Sequence, residues 1–307
     1  MIMKFERKTK LHAAWKVWTR KPMVFEIVIG VLLLLIAAWM IYLFLWAFST
    51  AMKDDISFAK DPLSLFQIWS IQNYVSVFQN MTVPISNPDG SRSLVGIEGM
   101  FINSFVYAGS AAILQTLCTA GMAYITARYK CWFSSFIKGL VIVVLILPIV
   151  GALPSTLQMS QTLHLYDSVI GTVLLKFSFT NIYFLVFYGA FEMIPKDYED
   201  AAKIDGASDL SIYVRIMAPM QAPLYGIVTL LHFIQFWNDY QTPMLFMPNH
   251  PTIAYGLYSA LNSHDAALVS TPAKAAAGIL VFVPLFLIFL VFRNRLMGNF
   301  SEGGIKG

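Results

Sequence analysis

Six long apolar runs, at about residues 24–48, 102–127, 134–152, 168–191, 221–246 and 273–293, alternate with polar stretches along the chain. Each is close to the roughly 20 residues that cross a bilayer as helix. Helix satisfies its own backbone polar groups where no water can. The pattern therefore predicts an all-α integral membrane protein of six transmembrane helices, with both termini on one side. The first run, of about 25 residues, is longer than the apolar region of a secretory signal, and no clean small-residue cleavage site follows it. It reads as an uncleaved anchor.

Two polar intervals are long enough to have structure of their own. In the first, residues 49–100, the positions Phe66, Ile68, Trp69, Ile71, Tyr74, Val75 and Phe78 predict a short amphipathic helix against the membrane or the core. Pro84 to Ser91 then reads as an exposed turn, either a plain connector or a docking surface for an external partner. In the second interval, residues 192–220, Pro195 suits a first helical turn, and Asp197, Glu199 and Asp200 place negative charge at the positive end of that helix dipole. Ala201 and Ala202 are small helix formers that permit close approach of another surface, and Gly206 supplies the left-handed residue that ends the helix. Ser208 can cap a second helix over Leu210–Met217, with Ile212 and Ile216 on one face, and Pro219 opposes its smooth continuation. The product is two short helices around a glycine bend.

Composition agrees with the membrane reading: 57% of residues are hydrophobic and 12% charged, with a mean hydropathy of +0.64. The basic residues orient the chain. Lys4, Arg7, Lys8, Lys10, Lys16, Arg20 and Lys21 crowd the amino-terminal tail, and Arg128, Lys130 and Lys138 flank the second inner turn. Lys196, Lys203 and Arg215 lie in the second interval, and Arg293, Arg295 and Lys306 follow the last span, whereas the opposite side has Lys53, Lys60 and Arg92. Both termini and the interval around Glu199 are thereby cytosolic. The net charge of +4 follows from this bias and implies no nucleic-acid affinity.

Chemistry of the chain's own is not evident. There is no Gly-x-x-x-x-Gly-Lys-Ser/Thr loop to cradle ATP phosphates. His12, His164, His232, His250 and His264 are scattered, and Cys118 and Cys131 suggest neither a disulfide framework nor a metal site. The reading is a non-catalytic subunit without cofactor or metal.

The spacing Asp200-Ala201-Ala202, three residues, Gly206, nine residues, Ile216, one residue, Ala218-Pro219 resembles the EAA loop of the permease subunits of binding-protein-dependent ABC importers. That loop reads Glu-Ala-Ala, then Gly, Ile and Leu-Pro; here Asp200 replaces the first Glu and Ala218 the Leu. Phe101-Ile102-Asn103-Ser104, the run Ala201 to Ser208 including Asp205, Trp237-Asn238, and Gly303 to Gly307 look like the carbohydrate-type branch, the second permease subunit of maltose-type transporters in particular.

The resemblance implies a type I ABC importer permease fold in a prokaryotic inner membrane. It divides the chain into a basic cytosolic tail (1–23), a first helix (24–48), an extracytoplasmic segment (49–100), a transmembrane core (101–293) holding the EAA loop, and a cytosolic tail (294–307). It further implies a heterodimer with a second permease subunit, two cytosolic ATPases that bind the ATP, an extracytoplasmic solute-binding protein and a sugar solute. Glu199, Asp200, Ala201, Ala202, Asp205, Gly206, Ile216 and Pro219 would then couple to the ATPase, with Glu199 and Asp200 as its charged contacts. Polar residues inside spans are costly against lipid and usually face a bundle interior. Asn103, Gln115, Gln235, Trp237, Asn238 and Asp239 are therefore translocation-path candidates; Asn238, Asp239 and Gln115 either meet solute or only bond neighbouring helices. Lys176 is expected to snorkel to the outer interface. A non-sugar solute such as a glycerol phosphodiester or polyol is the alternative within the class, and a secondary transporter lies outside it; the latter would need paired half-helix breaks, which the sequence does not display.

Overall fold

The computed structural model describes residues 24–66, 69–87, 89–147 and 151–300, the last eight as helix backbone. The basic tail, Ile68, and the side chains from Arg293 onward lie outside the described residues, as do the expectations placed on them. Among the described residues the fold is helical apart from one hairpin. Helix α1 (Val24–Ala51) is apolar all round and exposed along most of its length, as a lipid-facing anchor must be. It packs along the last helix, α14 (Thr271–Phe300), where Phe44 meets Phe282 edge-on at 5.4 Å.

The first polar interval, 49–100, holds α2 (Asp55–Lys60), α3 (Gln72–Asn80) and an antiparallel hairpin, β1 (Val83–Ser86) with β2 (Arg92–Val95). Of the turn expected at 84–91, Pro84, Ile85 and Ser86 belong to the paired strand β1, and only the stretch after Ser86 is the tip of the hairpin. The strands are the one departure from an all-α chain, and short alternating runs between helices gave no periodic signal for them. The amphipathic helix expected from Phe66 onward begins only at Gln72, because Phe66 sits at a left-handed φ of 54°.

Helix α4 (Ile97–Arg128) is the central rod, 32 residues and about 48 Å long. Its buried face is built of small side chains, Ser104, Ala108, Ala111, Ala112, Thr116, Ala120, Ala123 and Ala127, which let neighbouring helices approach closely. It runs through two apolar cores. The outer one gathers Met100, Tyr107, Phe236, Trp237 and Ile253; the inner one gathers Tyr124, Phe184, Phe187, Phe191, Ile212 and Met217.

The spans expected at 24–48, 102–127 and 273–293 are single helices long and apolar enough to cross a membrane. The other three are shorter or interrupted. Helix α5 (Trp132–Ile146) covers only about 22 Å; Gly151, at φ 85°, then redirects the chain into α6 (Ala152–Thr162). The span expected at 168–191 is α7 (Val169–Leu175) and α8 (Ile182–Glu192), separated at 176–181, where the Ser178 hydroxyl accepts the Thr180 N–H and the Asn181 carboxamide caps α8 through Tyr183 N–H. The second polar interval, 192–220, follows as α9 (Asp197–Ile204) and α10 (Asp209–Met220), the latter π-helical over Tyr213–Met217. Helix α11 (Ala222–Trp237) leaves it at a bend of 79°, with Pro219 and Pro223 flanking the corner. The span expected at 221–246 breaks again before α12 (Gln241–Phe246), because Asn238 and Asp239 turn their side chains onto local backbone, Asn238 Nδ2 to Ile234 O (2.8 Å) and Asp239 Oδ1 from Thr242 N (3.0 Å). Helix α13 (Ile253–Leu261), capped by the Thr252 hydroxyl, returns the chain to α14.

Candidate functional site

Two regions concentrate the candidate residues. The first is the 192–220 interval, where a helix, a glycine bend and a second helix follow one another as the sequence expects, although Pro195 precedes the first turn of α9 and α10 continues through Pro219 to Met220. Gly206 has φ 78° and Ser208 accepts from Ser211 N–H. The side chains then divide between two faces. Ala202 is buried in the inner core, whereas Ala201, Asp200, Asp205 and Pro219 are exposed and Ile216 is half-buried. Tyr198, Ile204 and Leu210 are also exposed, so the exposed surface of this interval carries apolar side chains beside Asp200 and Asp205.

Glu199 does not share that surface. Its side chain is 13% exposed and turns inward, with Oε1 2.9 Å from Arg128 Nε, and Arg128 is 4% exposed. The Nε–H is not aligned on the carboxylate, so the contact is ionic rather than a directed hydrogen bond. The Tyr124 hydroxyl donates to the same Oε1 at 3.4 Å. Arg128 belongs to a different interval of the sequence, where its charge bears on orientation and nothing local links it to Glu199.

The second region joins the two broken spans. Lys176 ends α7, and instead of snorkelling outward it places Nζ 3.3 Å from Asp239 Oδ2 and 3.0 Å from Thr242 Oγ1. The breaks are the physical reason: interrupting both helices frees the two side chains to meet laterally. The Tyr107 hydroxyl of α4 donates to Asp239 Oδ2 at 3.1 Å. The pair is mostly buried, with side chains 24% and 18% exposed. Lys176 and Thr242 also line a cavity of about 360 Å³ with Gly151, Leu153, Thr156 and Phe246. Thr119 holds the first break to α4, accepting from Asn181 Nδ2 (2.9 Å) and donating to Ser178 O (3.3 Å). Paired interruptions, which the sequence does not display, thus exist in the structure.

The remaining path candidates are dispersed. Trp237 is 1% exposed, and its indole donates to Val281 O at 3.3 Å, so it presents no ring face to a solute. Asn103 donates to Pro251 O (3.0 Å), Gln115 is half-buried, and Gln235 and Asn238 are exposed. His232, grouped with Gln235 and Asp239 by spacing, is buried instead, its Nδ1 3.0 Å from Thr116 Oγ1 and its ring edge-on to Tyr183. Accessible aromatic faces belong to a pair that sequence reasoning missed: Tyr240 and Tyr258 stack at 4.4 Å, beside the second break, each about two-fifths exposed. They come from separate segments, and no spacing rule connects them.

Residues 119–297 match the family model described as binding-protein-dependent transport system inner membrane component. Among curated proteins, the chain is 26% identical over 280 residues to the diacetylchitobiose uptake system permease protein NgcG of Streptomyces coelicolor, spanning 90% of this chain and 87% of that one. It is 26% identical to the arabinooligosaccharides transport system permease protein AraQ of Bacillus subtilis (67% and 73% covered) and 24% identical to the trehalose transport system permease protein SugB of Mycobacterium tuberculosis (86% and 91%). A chain of a bacterial ABC transporter involved in the import of the acidic polysaccharide alginate superposes with a TM-score of 0.71 at 19% identity, covering 89% of this chain and 99% of that chain.

Proposed function

We propose, from the premise that this chain belongs to the family of binding-protein-dependent transport system inner membrane components, that it is the second permease subunit of an ATP-driven sugar importer. The observation that carries the reading is the family match over residues 119–297, together with relatives whose names specify oligosaccharide or trehalose transport. The likeness to the alginate transporter chain supports a type I importer permease fold. In this reading the chain supplies no ATP site; two cytosolic ATPases bind and hydrolyse ATP, a second permease completes the pore, and an extracytoplasmic binding protein delivers the sugar.

The geometry gives each region a task. The exposed face of α9 and α10, with Tyr198, Asp200, Ala201, Ile204 and Leu210, is the surface offered to the ATPase. Gly206 sets the angle between the two helices. ATP-driven closure of the motor pair displaces this surface, and a change of state follows only because the contacts differ between inward-facing and outward-facing arrangements. Along the path, the Lys176–Asp239 pair offers donors and acceptors without net charge, which suits an uncharged saccharide better than a glycerol phosphodiester. Tyr240 and Tyr258 offer ring faces to the C–H side of a sugar. The distribution of basic residues supports a topology with both termini in the cytosol.

The test is purification of the tagged chain from its host in mild detergent, with mass spectrometry of what accompanies it. A second multi-span permease and an ATPase with a phosphate-binding loop are expected, with ATP-dependent uptake of a neutral oligosaccharide or disaccharide by the reconstituted complex. Recovery of the chain alone, under conditions that preserve other membrane complexes, would refute the assignment.

A further inference from the structure

The inner end of α4 is held by both helices of the cytosolic interval at once. Arg128 lies 2.9 Å from Glu199 on α9, and its Nη2 rests 3.8 Å from Met217 Sδ on α10. Tyr124, one turn earlier, hydrogen-bonds Glu199, packs on Tyr213 of α10 at 4.8 Å and meets Phe191 of α8 at 5.4 Å. Tyr213 in turn shares a 2.7 Å hydrogen bond with Tyr225 of α11. The charges suit the helix ends, since Arg128 stands at the negative end of α4 and Glu199 at the positive end of α9. The same α4 carries Tyr107, 21 positions earlier and about 31 Å away along the axis, where it hydrogen-bonds Asp239 at the junction of the two broken spans.

We infer that Glu199 and Arg128 are positioning residues that lock the cytosolic interval to α4, so that displacement of the interval is carried along one helix to the Lys176–Asp239 junction. Without this ionic contact α9 would be fastened to the core mainly through Ala202, a side chain too small to resist a lever. Glu199 and Asp200, adjacent in the EAA-like loop, therefore have different tasks: Asp200 lies on the exposed surface, and Glu199 transmits what that surface receives. A stiff element linking two sites is a physical route for coupling when both ends have alternative arrangements, and interrupted helices at the upper end provide one.

The inference rests on the importer reading, and the experiment separates the two. The purified full complex, reconstituted in liposomes with its binding protein, is assayed for solute uptake and ATP hydrolysis in parallel for the native chain, E199Q, E199D, R128M and the exchanged pair E199R/R128E. E199Q preserves size and the Tyr124 contact. It and R128M are expected to assemble and hydrolyse ATP while uptake falls about tenfold or more, raising ATP consumed per solute. E199D should lie between, and the exchanged pair should recover uptake over either single change. Native-like uptake per ATP in E199Q and R128M would overturn the inference. So would loss of assembly in E199Q that neither E199D nor the exchange restores, since the pair would then be a folding element only. If the native complex shows no ATP-driven uptake at all, the importer reading fails and this inference falls with it.

Discussion

Replacing Lys176 by methionine tests whether the junction between the broken spans is held by charge. At 3.3 Å, two unit charges in an effective dielectric of about 20 attract by roughly 5 kcal/mol before desolvation is subtracted. Removing one member of a fully buried pair costs about 3–5 kcal/mol. Here each side chain retains some solvent contact, and Asp239 would keep Tyr107 and the Thr242 N–H as donors; the expected loss for K176M is therefore about 2–3 kcal/mol. D239N should cost a similar amount, because Lys176 would keep hydrogen-bond acceptors in the new carboxamide and Thr242 and the Phe236 ring at 5.4 Å but lose its counter-charge. The double variant removes both charges and should lose about 1 kcal/mol or less relative to native, since a neutralised pair carries no uncompensated buried charge. For a chain of this size each kcal/mol is worth roughly 2 °C of melting temperature. The assay is the temperature at which the solubilised complex ceases to elute as a single species, expected to fall by about 4–6 °C for each single change and by about 2 °C for the double. Strict additivity, with a coupling energy below about 0.5 kcal/mol, would refute the view that these side chains form a functional pair.

Gly206→Pro should abolish solute uptake and its coupling to ATP hydrolysis, because proline holds φ near −65° where the structure has 78°; unimpaired coupling would refute the bend. Gly206→Ala, with open space around the added carbon, should cost only about 1 kcal/mol, as backbone strain. Trp237→Ala should destabilise by about 3–5 kcal/mol through an unfilled core volume, visible as a lower melting temperature, whereas Tyr240→Ala should stay within about 0.5 kcal/mol yet raise the solute concentration for half-maximal uptake; a transport defect without instability in Trp237→Ala would reverse these assignments. Cys131 is exposed before α5, where the Ser134 hydroxyl and backbone N–H hold its thiol below the ordinary cysteine range. A lowered pKa means more thiolate at neutral pH, so a membrane-impermeant maleimide should label Cys131 faster than half-buried Cys118, and only from the cytosolic face; labelling from outside would invert the assigned topology.

The apolar runs by themselves determined the class, because no other backbone arrangement of such runs satisfies its polar groups in lipid. Charge placement predicted the orientation. The 192–220 interval was legible in its main features, since helix, glycine bend and capped second helix depend on neighbours in sequence: Gly206 takes the left-handed φ and Ser208 the cap that local chemistry assigns them. What sequence could not supply was anything made by residues far apart in the chain. The breaks at 176–181 and 238–240 look like continuous hydropathy, because Ser178, Thr180, Asn181, Asn238 and Asp239 are too few to interrupt a window average. Lys176 read as a lone cation and Asp239 as a lone carboxylate until the fold brought positions 63 residues apart to 3.3 Å. Trp237 looked like a ring for a sugar because an aromatic residue beside a polar one has the same pattern in a core or on a path; only packing places it against Val281. Glu199 and Asp200 are adjacent and chemically alike, and local rules treat them together. A helical turn of 100° per residue, seen against the fixed position of Arg128, sends one into the core and the other to the exposed surface.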